Sequence, residues 1–125
     1  MPVAGRRVLV VEDEYLAALT TIDFLERIGC EVVGLAARLP AALQFVRTEA
    51  LDAAVLDINI AGTMVWPVAE ELLRRGVPYL FLSAYSERNM IPAPFASAPC
   101  LAKPLERDRL LCQLEAMWAV PAGND

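Results

Sequence analysis

The chain contains no histidine. It therefore has no imidazole base, phosphohistidine or histidine metal site of its own, and any phosphohistidine it meets belongs to a partner. It also holds a single lysine, Lys103, against ten arginines. A compact ammonium is not equivalent to a planar guanidinium, so the lone lysine is a candidate for a specific task. Long basic runs are missing as well. Nothing exceeds Arg6-Arg7 and Arg74-Arg75, and the net charge is -5, which argues against a nucleic-acid footprint. Although 57% of the residues are hydrophobic, no uninterrupted apolar stretch approaches the ~20 residues that a membrane span requires. The basic start from Met1 to Arg7 resembles the head of a signal peptide, but Glu12 stops the following apolar run at Val8 to Val11. A soluble, cytoplasmic protein with no membrane partner is expected. The three cysteines, Cys30, Cys100 and Cys112, are odd in number and show no CxxC spacing. They read as small core residues in a reducing compartment.

What is present is a repeated punctuation. Four apolar runs end in polar residues: Val8 to Val11 in Glu12-Asp13, Ala53 to Leu56 in Asp57, Tyr79 to Leu82 in Ser83, and Cys100 to Ala102 in Lys103. At 125 residues the chain has room for one domain, 1–125, with a core over about 7–118. The runs alternate with amphipathic segments, the pattern of a parallel α/β sheet with crossover helices. A helix is predicted over Tyr15 to Ile28, with Leu16, Leu19, Ile22, Leu25 and Ile28 inward and Gly29 as its C-cap. A strand over Glu31 to Leu35 and a weaker helix over Pro40 to Thr48 follow. Further helices are predicted over Met64 to Arg75, closed by Gly76, and over Leu105 to Trp118. Between Ala84 and Pro99 the pattern fails. Pro92, Pro94 and Pro99 remove backbone donors, so an irregular, mobile crossover is expected, with a short helical turn around Ser86 to Met90.

If the runs are neighbouring parallel strands, their ends converge on one cleft. Adjacent carboxylates at Glu12-Asp13 suit a hard divalent cation, and magnesium is the economical choice; the other reading is that this acidic run caps the following helix. Asp57 is placed to attack phosphorus and form an acyl phosphate, or else it starts an Asx turn before Gly62. Asn59 offers a main-chain carbonyl to the cation whatever its side chain. Ser83 and Lys103 would donate to phosphoryl oxygens, although singly each also reads as an ordinary loop residue. The ordered set, one residue type per strand end, favours the joint reading.

These residues resemble the receiver domain of two-component response regulators from about Arg7 to Trp118. The resemblance implies a flavodoxin-like doubly wound five-stranded sheet of order 2-1-3-4-5. It implies Asp57 as phosphoacceptor and Mg²⁺ bound by Asp13, Asp57 and the main-chain carbonyl of Asn59, with Glu12 acting through water. Ser83 would follow the phosphoryl group on activation, Lys103 would contact it, and the Lys103-Pro104 peptide would be cis. The implied partners are a sensor histidine kinase or histidine phosphotransfer protein, a downstream protein of unknown identity, and a second copy of the chain in a homodimer. On this reading the chain is a single-domain signalling module and not an enzyme, apart from its own phosphorylation and dephosphorylation.

Three departures set this chain apart. The usual Met-Pro pair after the phosphoacceptor is replaced by Ile60-Ala61-Gly62-Thr63-Met64. The aromatic switch residue expected three positions before the lysine is Cys100. Phe81-Leu82-Ser83-Ala84-Tyr85 is in part similar to a Phe-Ala-Thr-Gly-x-Tyr-like motif of stand-alone receivers, which makes Tyr85 the switch candidate and the Ala84 to Pro99 crossover the segment that phosphorylation orders. Two other functions compete. A small haloacid-dehalogenase-type phosphohydrolase shares the Asp, Ser, Lys and magnesium, but it carries its nucleophile on the first strand and has an acid where this chain has Asn59. A pseudo-receiver would bind partners without phosphorylation.

Overall fold

The computed structural model describes residues 3–119, apart from the side chains of Tyr85 and Ser86. In chain order it contains β1 (Arg7–Val11), α1 (Tyr15–Ile28), β2 (Glu31–Ala36), α2 (Leu39–Thr48), β3 (Ala53–Asp57), a hairpin of β4 (Asn59–Ile60) and β5 (Thr63–Met64), α3 (Trp66–Arg74), β6 (Tyr79–Ser83), β7 (Cys100–Ala102) and α4 (Arg107–Trp118). The main sheet runs β2-β1-β3-β6-β7, every pair parallel. With the hairpin set aside, this is the expected 2-1-3-4-5 order.

Burial on both faces explains why the inner strands read as continuous apolar runs. Their period of two sorts the side chains. Leu9, Val11, Leu56 and Phe81 join Ala42 and Val46 of α2 and Val68, Ala69 and Leu72 of α3 on one face. Val8, Val10, Val55, Leu80 and Leu82 join Leu25 of α1 and Leu110, Leu114 and Trp118 of α4 on the other. Gly29 ends α1 at φ 110°, where its N–H donates to the carbonyls of Leu25 and Glu26, a left-handed cap that side chains resist. On β2, a Cβ at Gly34 would lie 2.4 Å from the Phe45 ring, so the bare backbone is what lets α2 close down. The sheet absorbs a register shift beside it, between Val8 and Leu9 of β1.

Several expectations are corrected. Leu16 and Leu19 point outward, 72% and 41% exposed, because the inward stripe of α1 is Ala18, Thr21 and Leu25. The Thr21 hydroxyl enters this stripe by donating to the Ala17 carbonyl at 3.1 Å. Met64 is not helical. It pairs with Asn59 in the hairpin, and α3 begins at Trp66 with Pro67 in its first turn. The last helix begins at Arg107, two residues beyond Leu105. Of the cysteines only Cys30 is a buried core residue; Cys100 is half-buried and Cys112 exposed.

The crossover from β6 to β7 holds two short 3₁₀ turns, Tyr85–Met90 and Ala93–Phe95, in place of a helix. The proline pattern foretells this break, and Phe95 gives the segment an anchor. It is only 5% exposed, stacks on Trp66 with centroids 6.0 Å apart, and meets Tyr79 edge-on at 6.4 Å.

Candidate functional site

Asp57 is the last residue of β3 and Ser83 the last of β6, while Glu12-Asp13 and Lys103 follow β1 and β7 directly. Because these strands are parallel neighbours, their C-terminal ends share one edge, and the polar residues meet there. Lys103 Nζ lies 2.7 Å from Asp57 Oδ1 and 3.7 Å from Glu12 Oε1. One oxygen each from Glu12, Asp13 and Asp57 falls within a 4.8 Å group. Glu12 and Asp57 are buried, 3% and 4% exposed, whereas Asp13 faces solvent.

This crowding has electrostatic consequences. Burial, and then the neighbouring Asp57 carboxylate, push the Glu12 carboxyl up from 4.5 to about 7, against the opposing pull of the Glu14 N–H and Lys103. Burial weighs against the Lys103 ammonium too, but close contact with Asp57 and attraction to Glu12 outweigh it and move Lys103 upward. Glu12 Oε1 and Asp57 Oδ1 are both buried without an aligned hydrogen bond. At 2.7 Å the Lys103 ammonium supplies charge to Asp57 Oδ1, but one ammonium cannot occupy all the lone pairs of two neighbouring buried carboxylates. Buried carboxylate oxygens left in this condition are costly, and a hard oxygen-seeking dication is the group that relieves them. The donor set therefore fits Mg²⁺.

The acidic run precedes α1, where its charge favours the helix dipole, but it makes no side-chain capping bond to the first turn. The N-cap of α1 is Glu14, whose side chain makes no capping bond, while Glu12 turns into the cleft and accepts the Glu14 N–H at 3.2 Å. The turn before Gly62 is fastened by the Asn59 side chain and not by Asp57. Asn59 Oδ1 accepts the Gly62 N–H at 2.8 Å, which leaves Asp57 to the cleft. The Lys103-Pro104 peptide is cis. Ser83 is buried and sits at the expected edge, yet its hydroxyl pairs with the Cys100 thiol at 3.1 Å. Tyr85 begins the first 3₁₀ turn, and its side chain, the proposed switch, lies outside the described residues.

Sequence reasoning missed the two side chains that fasten the crossover, one to β7 and one to the residue after β6. Arg88 donates to the Cys100 carbonyl at 3.0 Å, and Glu87 accepts the Ala84 N–H at 2.9 Å. Neither carried a periodic or motif signal. The hairpin was signalled, in hindsight, by Ala61-Gly62 between two short apolar-polar pairs.

An open parallel sheet wrapped on both faces, with a lysine closing an acidic cleft at the strand ends, defines the receiver class of α/β proteins. The family model for the response regulator receiver domain matches residues 8–115, and the chain belongs to that family, the receiver domains of two-component systems. Among solved structures it is similar to SdrG from Sphingomonas melonis Fr1, with a TM-score of 0.81, 35% identity, and coverage of 94% of this chain and 98% of that one. It is also similar to the receiver domain of sensor histidine kinase PA1611 from Pseudomonas aeruginosa PAO1, which holds a magnesium ion in its active-site cleft (TM-score 0.78, 25% identity, 92% of this chain and 98% of that one). A curated relative, the transcriptional regulatory protein PdtaR of Mycobacterium tuberculosis, is 29% identical over 87 residues, 69% of this chain. The match spans 42% of that relative's length. Receiver domains are in general signalling modules and not enzymes. No helix among the described residues is long and apolar enough to cross a membrane.

Proposed function

We propose that Asp57 accepts a phosphoryl group from the phosphohistidine of a partner, a sensor kinase or phosphotransfer protein. An Asp57 carboxylate oxygen attacks phosphorus, the bond from phosphorus to the imidazole nitrogen breaks, and the imidazole leaves with the bonding pair. Lys103 stands against the developing negative charge, and Ser83 supplies a hydroxyl to the phosphoryl oxygens once it turns toward them. Asp13, Asp57 and the Asn59 carbonyl would hold Mg²⁺, with Glu12 acting through water; the bound ion would neutralise phosphoryl oxygens during transfer. The observation that carries this reading is the 2.7 Å approach of Lys103 to a buried Asp57 beside two further carboxylates.

On the same reading the 1–125 unit signals as one cytoplasmic domain through protein contacts, with no nucleic-acid contact of its own. Its downstream partner is a protein, and phosphorylation shifts which surface it presents. The hydrolase alternative loses ground on Asn59, whose side chain holds the hairpin where a second acid would be needed.

Incubation with acetyl phosphate or phosphoramidate and Mg²⁺, followed by intact mass measurement, separates the readings. A stoichiometric adduct that disappears in Asp57→Asn supports the receiver. Sustained turnover of the phosphodonor supports a phosphohydrolase, and neither adduct nor turnover supports a pseudo-receiver.

A further inference from the structure

β6 and β7 pair in parallel with Phe81 opposite Cys100 and Ser83 opposite Ala102. Side chains two apart on a strand share a face, so Phe81, Ser83, Cys100 and Ala102 lie on one side of the sheet. Cys100 then stands diagonally from Ser83, and the thiol meets the hydroxyl at 3.1 Å. The same residue is gripped from outside, its carbonyl accepting Arg88 of the crossover at 3.0 Å. Ser83 is 1% exposed, so its hydroxyl has no ready alternative in water. With Ser83 as the donor, its one hydroxyl proton is committed to the Cys100 sulfur and must be released before it can serve a phosphoryl group on Asp57. Rotation about χ1 between staggered wells would move it from one partner to the other.

We propose that Cys100 is a positioning residue for Ser83: its thiol holds the hydroxyl toward β7 and competes for it with the phosphoryl group on Asp57. This rests on the phosphoacceptor reading above and adds to it the residue that sets the resting hydroxyl. A buried hydrogen bond has a net worth of about 0.5 to 1.5 kcal/mol, so phosphorylation spends that much breaking the pair. A smaller residue at position 100 makes activation easier.

The test is titration of the protein in Mg²⁺ with beryllofluoride, a phosphoryl mimic, followed by amide NMR, with thermal melts of every variant. Cys100→Ala should bind the mimic about 2- to 10-fold more tightly than wild type, the range that one such hydrogen bond gives. Cys100→Ser, which restores a polar partner, should return the affinity toward wild type. In a Ser83→Ala background, Cys100→Ala should change nothing, because there is no hydroxyl to release; a purely structural effect of the cavity would persist there. Should Cys100→Ala fold poorly, Cys100→Val removes the hydrogen bond while filling the space and takes its place. An unchanged affinity, or an equal gain with and without Ser83, overturns the role of Cys100 while leaving the phosphoacceptor reading intact. A wild-type protein that neither binds beryllofluoride nor takes an acetyl phosphate adduct overturns both.

Discussion

The acidic cleft and the crossover from β6 to β7 meet at Ser83, and they are built in opposite ways. Each chemical group in the cleft sits at or just beyond the end of a strand whose backbone is fixed by parallel ladders on one or both sides. The crossover has no ladder. It has 3₁₀ turns, three prolines without N–H donors, a ring at Phe95 sunk in the core, and side-chain ties from Glu87 and Arg88. The cleft thus gets its geometry from the sheet, whereas the crossover gets its geometry from a few discrete contacts. A scaffold of the first kind suits chemistry that tolerates little displacement. One of the second kind can be rearranged by changing a single contact, which is what a signal needs.

The sharpest way to break the comparison is to remove the cation from the cleft. Lys103→Ala should slow adduct formation from acetyl phosphate by about 10²- to 10³-fold, the scale on which a preorganised electrostatic contact acts. Intact mass against time checks it. A rate within a few-fold of wild type would mean that Lys103 neutralises Asp57 and Glu12 structurally and does not serve the transfer.

Phe95 tests the other region. Among the described residues it is the one crossover side chain in the buried core, and Phe95→Ala should cost about 3 to 5 kcal/mol of stability by denaturant unfolding. If the cleft takes its shape from the sheet, beryllofluoride affinity in that variant should stay within a few-fold of wild type under folding conditions. A collapse of affinity alongside the stability would erase the distinction between the two regions.

Glu12 ranks next. Its folded value of about 7 lies above the ordinary 4.5, so between those values the folded, Mg²⁺-free protein binds a proton that the unfolded chain has released. Stability from this group is complete below about pH 4.5, falls as pH rises through the window to about 7, and then levels off. Relative to Glu12→Gln, wild type should lose on the order of 2 to 3 kcal/mol across that interval, read from urea midpoints at several pH values. Saturating Mg²⁺ should flatten the difference, because the ion favours the charged form. A gap that ignores pH would show Glu12 ionised throughout.

The two regions also differ in how far the sequence discloses them. Glu12, Asp13, Asp57, Ser83 and Lys103 were legible because apolar runs of alternating destination stop at each one, and burial on both faces forces that composition on inner strands. The sheet order followed from the resemblance, and the ladders agree with it. The prolines likewise disclosed that no full helix fills the crossover. What they did not disclose was its anchoring, since Phe95 and Arg88 act through single long-range contacts that leave no period. Leu16 and Leu19 failed for a different reason. Ile22, Leu25 and Ile28 reach the core as the spacing requires, but in the first half of α1 the face toward the sheet uses the smaller Ala18 and Thr21, so counting large residues misplaced Leu16 and Leu19.

The smallest effect concerns the turn of the β4-β5 hairpin, which follows Asp57 at the edge of the cleft. Ala61 sits at φ 53° and Gly62 at φ 87°, the two positive angles of a type I′ hairpin turn. Glycine accepts this without strain, but an alanine Cβ crowds the following carbonyl at a cost of about 1 to 2 kcal/mol. Part of that cost is recovered on Ala61→Gly and part is lost to the greater freedom of an unfolded glycine, so a net gain of about 0.5 to 1 kcal/mol is expected. It should appear as a higher urea midpoint at unchanged slope. Because Asn59 Oδ1 fastens the turn through the Gly62 N–H, the hairpin backbone should stay in place and beryllofluoride affinity should not move. A gain in stability paired with altered affinity would show that the strain at Ala61 is felt at Asp57, which would extend the tunable contacts to both sides of the cleft.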